Sequence, residues 1–295
     1  MKRFSLFMMV CLVAFTSSQA QLLWKVSGNG LARPSYIFGT HHMAPASMIG
    51  QIKGIDEAIE GCDIVVGEIE KDSLTSPEVQ ARMAQYMIAP PDSTLDKLLS
   101  PEDYAIVETV FNKYFSTMGV KLAQMNALKP SAISTQMQAM QAIKYFPNFD
   151  ATNLIDVAVQ TRANNAGRPS VGLETVMEQI DLLFNGPLTE QARGLVEACQ
   201  QDEFFQVQSA ALADAYMGQD LDKLMAVMTD ATMGGDSEQM MDALIYSRNR
   251  AWVGKLVKMM PERAALVCVG AGHLPGDQGL LQLLRNVGYT VEPVQ

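Results

Sequence analysis

Histidine is the scarcest side chain here with acid-base and metal chemistry, occurring three times, and two of the three close the same local frame. Tyr36-Ile37-Phe38 runs into Gly39-Thr40-His41-His42, and an apolar run through Val269 leads into Gly270-Ala271-Gly272-His273. Each is an apolar run, a glycine, and a histidine three places on. Two acidic residues stand in comparable settings: Glu68 closes Ile64-Val65-Val66-Gly67, and Glu174 closes Ser170-Val171-Gly172-Leu173. Two imidazoles and a carboxylate make a donor set for a divalent metal with positions left for water and substrate. A bound ion lowers the pKa of its water and polarises a carbonyl. The expected set is His42, Glu68 and His273. A lone histidine on an apolar run is ordinarily a satisfied core residue; two of three in one frame favour a site.

The apolar runs that carry these residues read as strands. Leu22 to Val26 and Ser35 to Gly39 suggest a hairpin turning at Ser27-Gly28-Asn29-Gly30. Met48, Ile52, Ile55 and Ile59 recur at helical spacing over Ser47 to Glu60, ahead of the Ile64 strand. Strand, helix, strand in that order predicts a parallel sheet with right-handed crossovers. Ala264 to Val269 and Tyr289 to Val294 add strands from the other chain end, with a helix over Asp277 to Asn286 between them. Ligands of open α/β sheets bind beyond the carboxyl ends of the strands, where His42, Glu68, Glu174 and His273 would all fall. Glycines 39 and 270 would give a sharp strand exit and close backbone approach.

Between about 76 and 167 the pattern turns helical. Ser76-Pro77-Glu78 and Ser100-Pro101-Glu102 are helix starts with a serine cap and a first-turn proline. Methionines 83, 87, 118, 125, 137 and 140 suit either a groove-covering layer or core filling, the latter being the commoner use. The expected fold class is α/β: a central mixed, largely parallel sheet built from both chain ends, with a large helical insertion.

A second long helix, capped by Asp236 or Ser237 and reaching about Met260, puts Arg248 on one stripe with Met241, Ile245, Trp252, Leu256 and Met259. An arginine there needs a partner, since unpaired burial of charge is costly. Pairing with Glu174, holding a substrate oxyanion, and a plain structural ion pair all stand open. His41 likewise has three roles open: orienting His42, acting on substrate, or facing solvent. Glu70 reads as a solvated residue, leaving Glu68 as the ligand.

Lys2 and Arg3 followed by the apolar run Leu6 to Phe15 and small residues at Ser18 and Ala20 read as a cleavable signal peptide over 1–20. The expectation is an exported protein, periplasmic or secreted. Gln21 as new N-terminus gives no lipid-acceptor cysteine, and the apolar run is short for a membrane span. Stable membrane insertion after cleavage is not expected. Acidic residues outnumber basic ones 32 to 22, a net charge of −10, which argues against nucleic acid as a partner. Of the four cysteines Cys11 falls in the signal segment; the remaining Cys62, Cys199 and Cys268 are odd in number and widely spaced, and read as small buried hydrophobes. There is no His-Glu-x-x-His helix, nucleophile elbow or phosphate loop.

In order along the chain, Phe38-Gly39-Thr40-His41-His42, Ile64-Val65-Val66-Gly67-Glu68, Val171-Gly172-Leu173-Glu174-Thr175, Ser247-Arg248-Asn249 and Val269 to Gly276 resemble the TraB/GumN family. The tail from Gly279-Leu280-Leu281 to Gly288-Tyr289-Thr290-Val291 is similar too. The resemblance spans 21–295 as a single domain. It includes the Tiki proteins, metal-dependent proteases that trim Wnt ligands, and TraB/PrgY-type proteins implicated in pheromone shutdown. It implies a core related to erythromycin esterase-like and heme-binding ChaN-like proteins. Carried onto this chain, it implies His42, Glu68 and His273 around a divalent metal of the manganese or cobalt class, zinc being possible. Arg248 and Glu174 support them. His41 departs from the family, which commonly has an apolar residue there. The function expected is an exported metal-dependent hydrolase, a peptidase of Tiki-like type acting on a peptide or protein substrate. The alternative is a non-catalytic periplasmic binding protein for a peptide, pheromone or heme.

Overall fold

A computed structural model describes residues 21–230, 232 and 237–294. The signal-peptide segment and the Asp236 cap lie outside the described residues. Six strands form one mixed sheet: β1 (Leu23–Ser27), β2 (Ser35–Thr40), β3 (Ile64–Gly67), β4 (Ser170–Gly172), β5 (Ala265–Gly270) and β6 (Thr290–Pro293), in the order β4-β3-β5-β2-β1-β6. β4, β3, β5 and β2 run parallel to one another, while β1 is antiparallel to both β2 and β6. Their apolar runs explain the interior places: β3 is buried throughout, and β5 is buried from Ala265 to Val269. β5 arrives from the far end of the chain and inserts between β2 and β3. The expected α/β sheet drawn from both chain ends is therefore the observed one.

The Ser47 to Glu60 stretch is not one helix. It forms a 3-10 turn, Ala46–Gln51, and a separate α-helix, Ile55–Gly61, which starts after Gly54 at φ +79°. Left-handed backbone at that residue ends one screw and restarts another, and the Val294 side chain fills the space a Cβ would need.

The helical stretch after β3 contains helices Pro77–Tyr86, Pro101–Phe115, Pro130–Ile143 and Ile155–Asn165. Ser100 caps as expected, accepting from the Asp103 amide at 3.1 Å, whereas Ser76 occupies the cap position without a side-chain bond. This layer has a core of its own around Val107, Phe111, Phe115, Ile133 and Leu195. Five of the six methionines singled out pack into it or into the neighbouring cluster around Ile180; Met118 stays 60% exposed. Core filling is their observed use.

The helix carrying Arg248 is also interrupted. Ser237 caps Glu238–Met241, a π-turn follows over Asp242–Tyr246, and α geometry resumes at Ser247–Met259. Leu244 and Ile245 belong to this π-turn and both line the cleft over the sheet edge.

Candidate active site

Because β2, β3, β4 and β5 point the same way, the residues after their last positions collect along one sheet edge. His42, Glu68, Glu174 and His273 all sit there, with Arg248 reaching in from its helix. A cleft of about 490 Å³ opens over them, lined by His41, His42, Glu68, Arg248 and His273 on the sheet side. Leu212, Met228, Leu244 and Ile245 line it as well, with Gln138, Gln208 and Ser209. Glu174 is outside the cleft lining and braces Arg248 from behind. A depression of about 470 Å³ beside Trp24 and Arg285 holds none of these groups.

Arg248 is the hub. Its Nε donates to Glu174 Oε1 at 2.9 Å, and Nη2 donates to Glu174 Oε2 at 3.0 Å and Glu68 Oε2 at 2.7 Å. Nη1 donates to the Leu244 carbonyl at 2.7 Å and to His273 Nε2 at 3.2 Å. All five guanidinium hydrogens thus have acceptors, and the group stacks on Trp252 with 4.6 Å to the ring centroid. Trp252 Nε1 in turn donates to Glu174 Oε1 at 2.8 Å. Of the alternatives open for Arg248, pairing with Glu174 is what the structure contains.

Glu68 is buried at the foot of the cleft. Burial alone would push its carboxyl up, but the charges of His273, His42 and Arg248 and the Gly270 amide outweigh that and hold it down to about 2. The Gly270 N–H donates to Oε1 at 2.7 Å and Gln179 Nε2 to Oε2 at 3.0 Å. A Cβ at residue 270 would stand 3.2 Å from Oε1, so glycine is what lets the strand end close on the carboxylate.

His273 is buried and fixed in one tautomer. Asn249 Nδ2 donates to the His273 and Gln278 carbonyls at 3.1 and 2.8 Å, so its Oδ1 must accept from His273 Nδ1–H, 2.7 Å away. Nε2 is left as the lone-pair nitrogen, 3.8 Å from Glu68 Oε1. Burial, reinforced by Arg248 and His42, pushes its pKa down to about 4 against the pull of Glu68, so it is neutral at neutral pH.

His42 is the opposite case. Its Nδ1 lies 3.3 Å from Asp156 Oδ2, while the Thr40 hydroxyl donates to the other Asp156 oxygen. Asp156 raises its pKa. Protein atoms crowd the ring, yet 66% of its side-chain surface is open to the cleft, and water there screens the pair. His41 lines the cleft with its ring packed on aromatic neighbours, the ring centroids 4.6 Å from Phe146 and 5.4 Å from Tyr216. Its Nδ1 accepts the Met43 amide at 3.2 Å, and burial pushes its pKa down to about 4. Glu70 leaves the group altogether, its Oε2 accepting from Ser73 at 3.0 Å.

The donor chemistry suits a divalent ion at two positions, His273 Nε2 and Glu68 Oε1. Fixing the remote imidazole nitrogen by a side-chain acceptor is how metal-binding histidines are commonly oriented. Against this, the His273 lone pair already accepts from Arg248, and His42 faces Asp156. Among the described residues no group of three His, Cys, Asp or Glu side chains is placed to hold an ion. The set therefore fits as a two-donor half-site with His42 on the same cleft.

Sequence reasoning missed Asp156, Asn249 and Gln179. Asp156 is one acid in the first turn of a helix, a common placement with a common explanation. Asn249 follows Arg248 directly, and an amide on a buried helix face was a usable signal.

The chain matches the model of the TraB/PrgY/gumN family over residues 22–293. It is also similar to the uncharacterized protein YbaP of Shigella flexneri, 26% identical over 254 residues, covering 86% of this chain and 88% of that protein. No solved structure matches it.

Proposed function

Starting from the fact that the chain belongs to the TraB/PrgY/gumN family, we propose that it is an exported hydrolase that cleaves a peptide bond with metal-activated water. One observation carries the reading: His273 Nε2, fixed as the lone-pair nitrogen, lies 3.8 Å from Glu68 Oε1 in a cleft that Leu212, Met228, Leu244 and Ile245 also line. Glu68 and His273 would hold a manganese, cobalt or zinc ion, with His42 in the same cleft. When bound, such an ion supplies Lewis acidity and a water of lowered pKa.

The chain's own residues do the rest. Asn249 keeps His273 in the tautomer whose Nε2 carries the lone pair, which Arg248 Nη1 occupies at 3.2 Å. Asp156 makes His42 the more basic imidazole, suited to holding or handing over a proton at the cleft mouth. Arg248 keeps Glu68 ionised and supplies positive charge where negative charge develops on a scissile carbonyl. Leu212, Met228, Leu244 and Ile245 exclude water along one side. Gln208 and Ser209 offer hydrogen-bonding side chains that suit the backbone of an extended peptide substrate. Export rests on the basic, apolar and small-residue pattern of 1–20; no helix among the described residues is long and apolar enough to cross a membrane.

The test assays the purified mature protein for metal content and cleavage of a quenched peptide library with added manganese, cobalt or zinc, beside His42→Ala and His273→Ala. Cleavage that needs a metal and disappears in His273→Ala is expected. Absence of cleavage with all three metals overturns the enzyme reading, and a Soret band on heme titration would move the site to the binding-protein alternative.

A further inference from the structure

We infer that Arg248 is the built-in cation of this site and competes with a divalent ion for His273 Nε2; this rests on the proposed metal site above. Four groups meet in a space mostly closed to solvent: Glu68, Glu174, Arg248 and His273, with the arginine side chain 14% exposed. His273 Nδ1 donates to Asn249 Oδ1 and its Nε2 accepts from Arg248 Nη1, which leaves one proton on the ring; two carboxylates then face one guanidinium, and these four groups together are net negative. Charge therefore favours another cation, and the obstacle is a donor already sitting on the lone pair.

That obstacle is one hydrogen bond. The 3.2 Å contact from Nη1 to His273 Nε2 is longer than the contacts to Glu68 and the Leu244 carbonyl. Glu174 grips Nε and Nη2 together from behind, and Trp252 supports the guanidinium face. The Leu244 carbonyl that shares Nη1 belongs to the π-turn, the irregular part of the helix. Arg248 can thus give up His273 and keep its fork on Glu174, so an ion displaces one N–H and not the whole side chain. The N–H so released lies on the cleft side, where a substrate oxygen would approach. Arg248 sets the metal affinity in this way: a low, exchangeable affinity with the guanidinium in place, and a higher one without it.

Calorimetric titration with Mn²⁺ decides it, comparing wild type, Glu174→Gln and Glu174→Gln/Arg248→Met. The glutamine removes the carboxylate that the lost arginine would strand. The double variant is expected to bind at least tenfold more tightly than Glu174→Gln alone, about 1.4 kcal/mol. Equal or weaker binding by the folded double variant, checked by near-UV circular dichroism, overturns the inference and leaves the metal site standing. No Mn²⁺ binding by any of the three at millimolar concentration overturns both. Should the double variant not fold, ¹⁵N-histidine and ¹⁵N-arginine NMR of the wild type answers the same question. Zn²⁺ should shift His273 Nε2 and the Arg248 Nη resonances together; a shifted His273 with Arg248 unchanged overturns the competition.

Discussion

The two Gly-x-x-His turns are alike in sequence and opposite in state. They end adjacent parallel strands, one residue out of step: Gly39 lies beside Val269, and Thr40 beside Gly270. His273 is buried against an amide, is neutral, and keeps a lone pair toward the cluster. His42 is open to the cleft, faces a carboxylate, and is biased toward the imidazolium. The frame brings an imidazole to the sheet edge, but the partner from a neighbouring helix, Asn249 or Asp156, decides its proton inventory. One fold thus supplies a fixed acceptor and an adjustable acid-base group side by side.

Breaking the buried turn should cost far more than breaking the open one. The largest effect is expected from Arg248→Met, which strands Glu68 and Glu174 inside the protein at a cost of about 3–5 kcal/mol. Urea denaturation measures it. A loss near 1 kcal/mol would mean that water reaches the cluster and that the two turns are less different than their burial says. Asn249→Ala comes next, at about 2 kcal/mol, because His273 Nδ1–H and two carbonyls lose their partner at a fully buried position. In ¹⁵N NMR, His273 should then lose its single fixed tautomer while His42 is unmoved.

Much of this comparison was legible in the chain, and the reasons for the rest are physical. Scarce histidines after apolar runs mark strand ends, because a buried parallel strand needs such a run and a ligand edge follows it. Glu68 and Glu174 were legible for the same reason. Asp156 was not, since its reach to His42 depends on how the Ile155–Asn165 helix docks on the sheet, a tertiary fact without local trace. The π-turn before Arg248 changes a hydrogen-bond register without changing composition, so an α-periodic reading carries straight through it. The Gly54 break was written in the sequence and overridden by the apolar spacing on either side.

Acid should separate the histidines by sign. His273 and His41 have folded pKa values pushed down to about 4, from an ordinary value near 6.5. Between those values the unfolded chain binds protons that the folded one refuses, so stability falls as pH drops from about 6.5 toward 4. His41→Phe keeps an aromatic ring against Phe146 and Tyr216 and removes one of the two groups. It should flatten that slope by about 1–2 kcal/mol at pH 5, an upper figure given its partial access to the cleft. Thermal melts of both proteins across pH 4 to 7 read it, and parallel slopes would mean that His41 is protonated in the folded state.

The smallest effect on stability belongs to the open turn, and its sign is reversed. His42 is raised, so whatever it contributes is fully present below about 6.5 and is lost as pH rises through the folded value. Asp156→Asn removes the charge behind the shift while leaving an oxygen for the Thr40 hydroxyl. Since His42 is 66% exposed, solvent should keep the stability change to a few tenths of a kcal/mol. The pKa is the more sensitive readout: in ¹³C-histidine NMR, His42 should move down toward about 6.5 while His273 stays put. An unmoved His42 would show that Asp156 does not set its charge. The contrast between the two turns would then rest on burial alone.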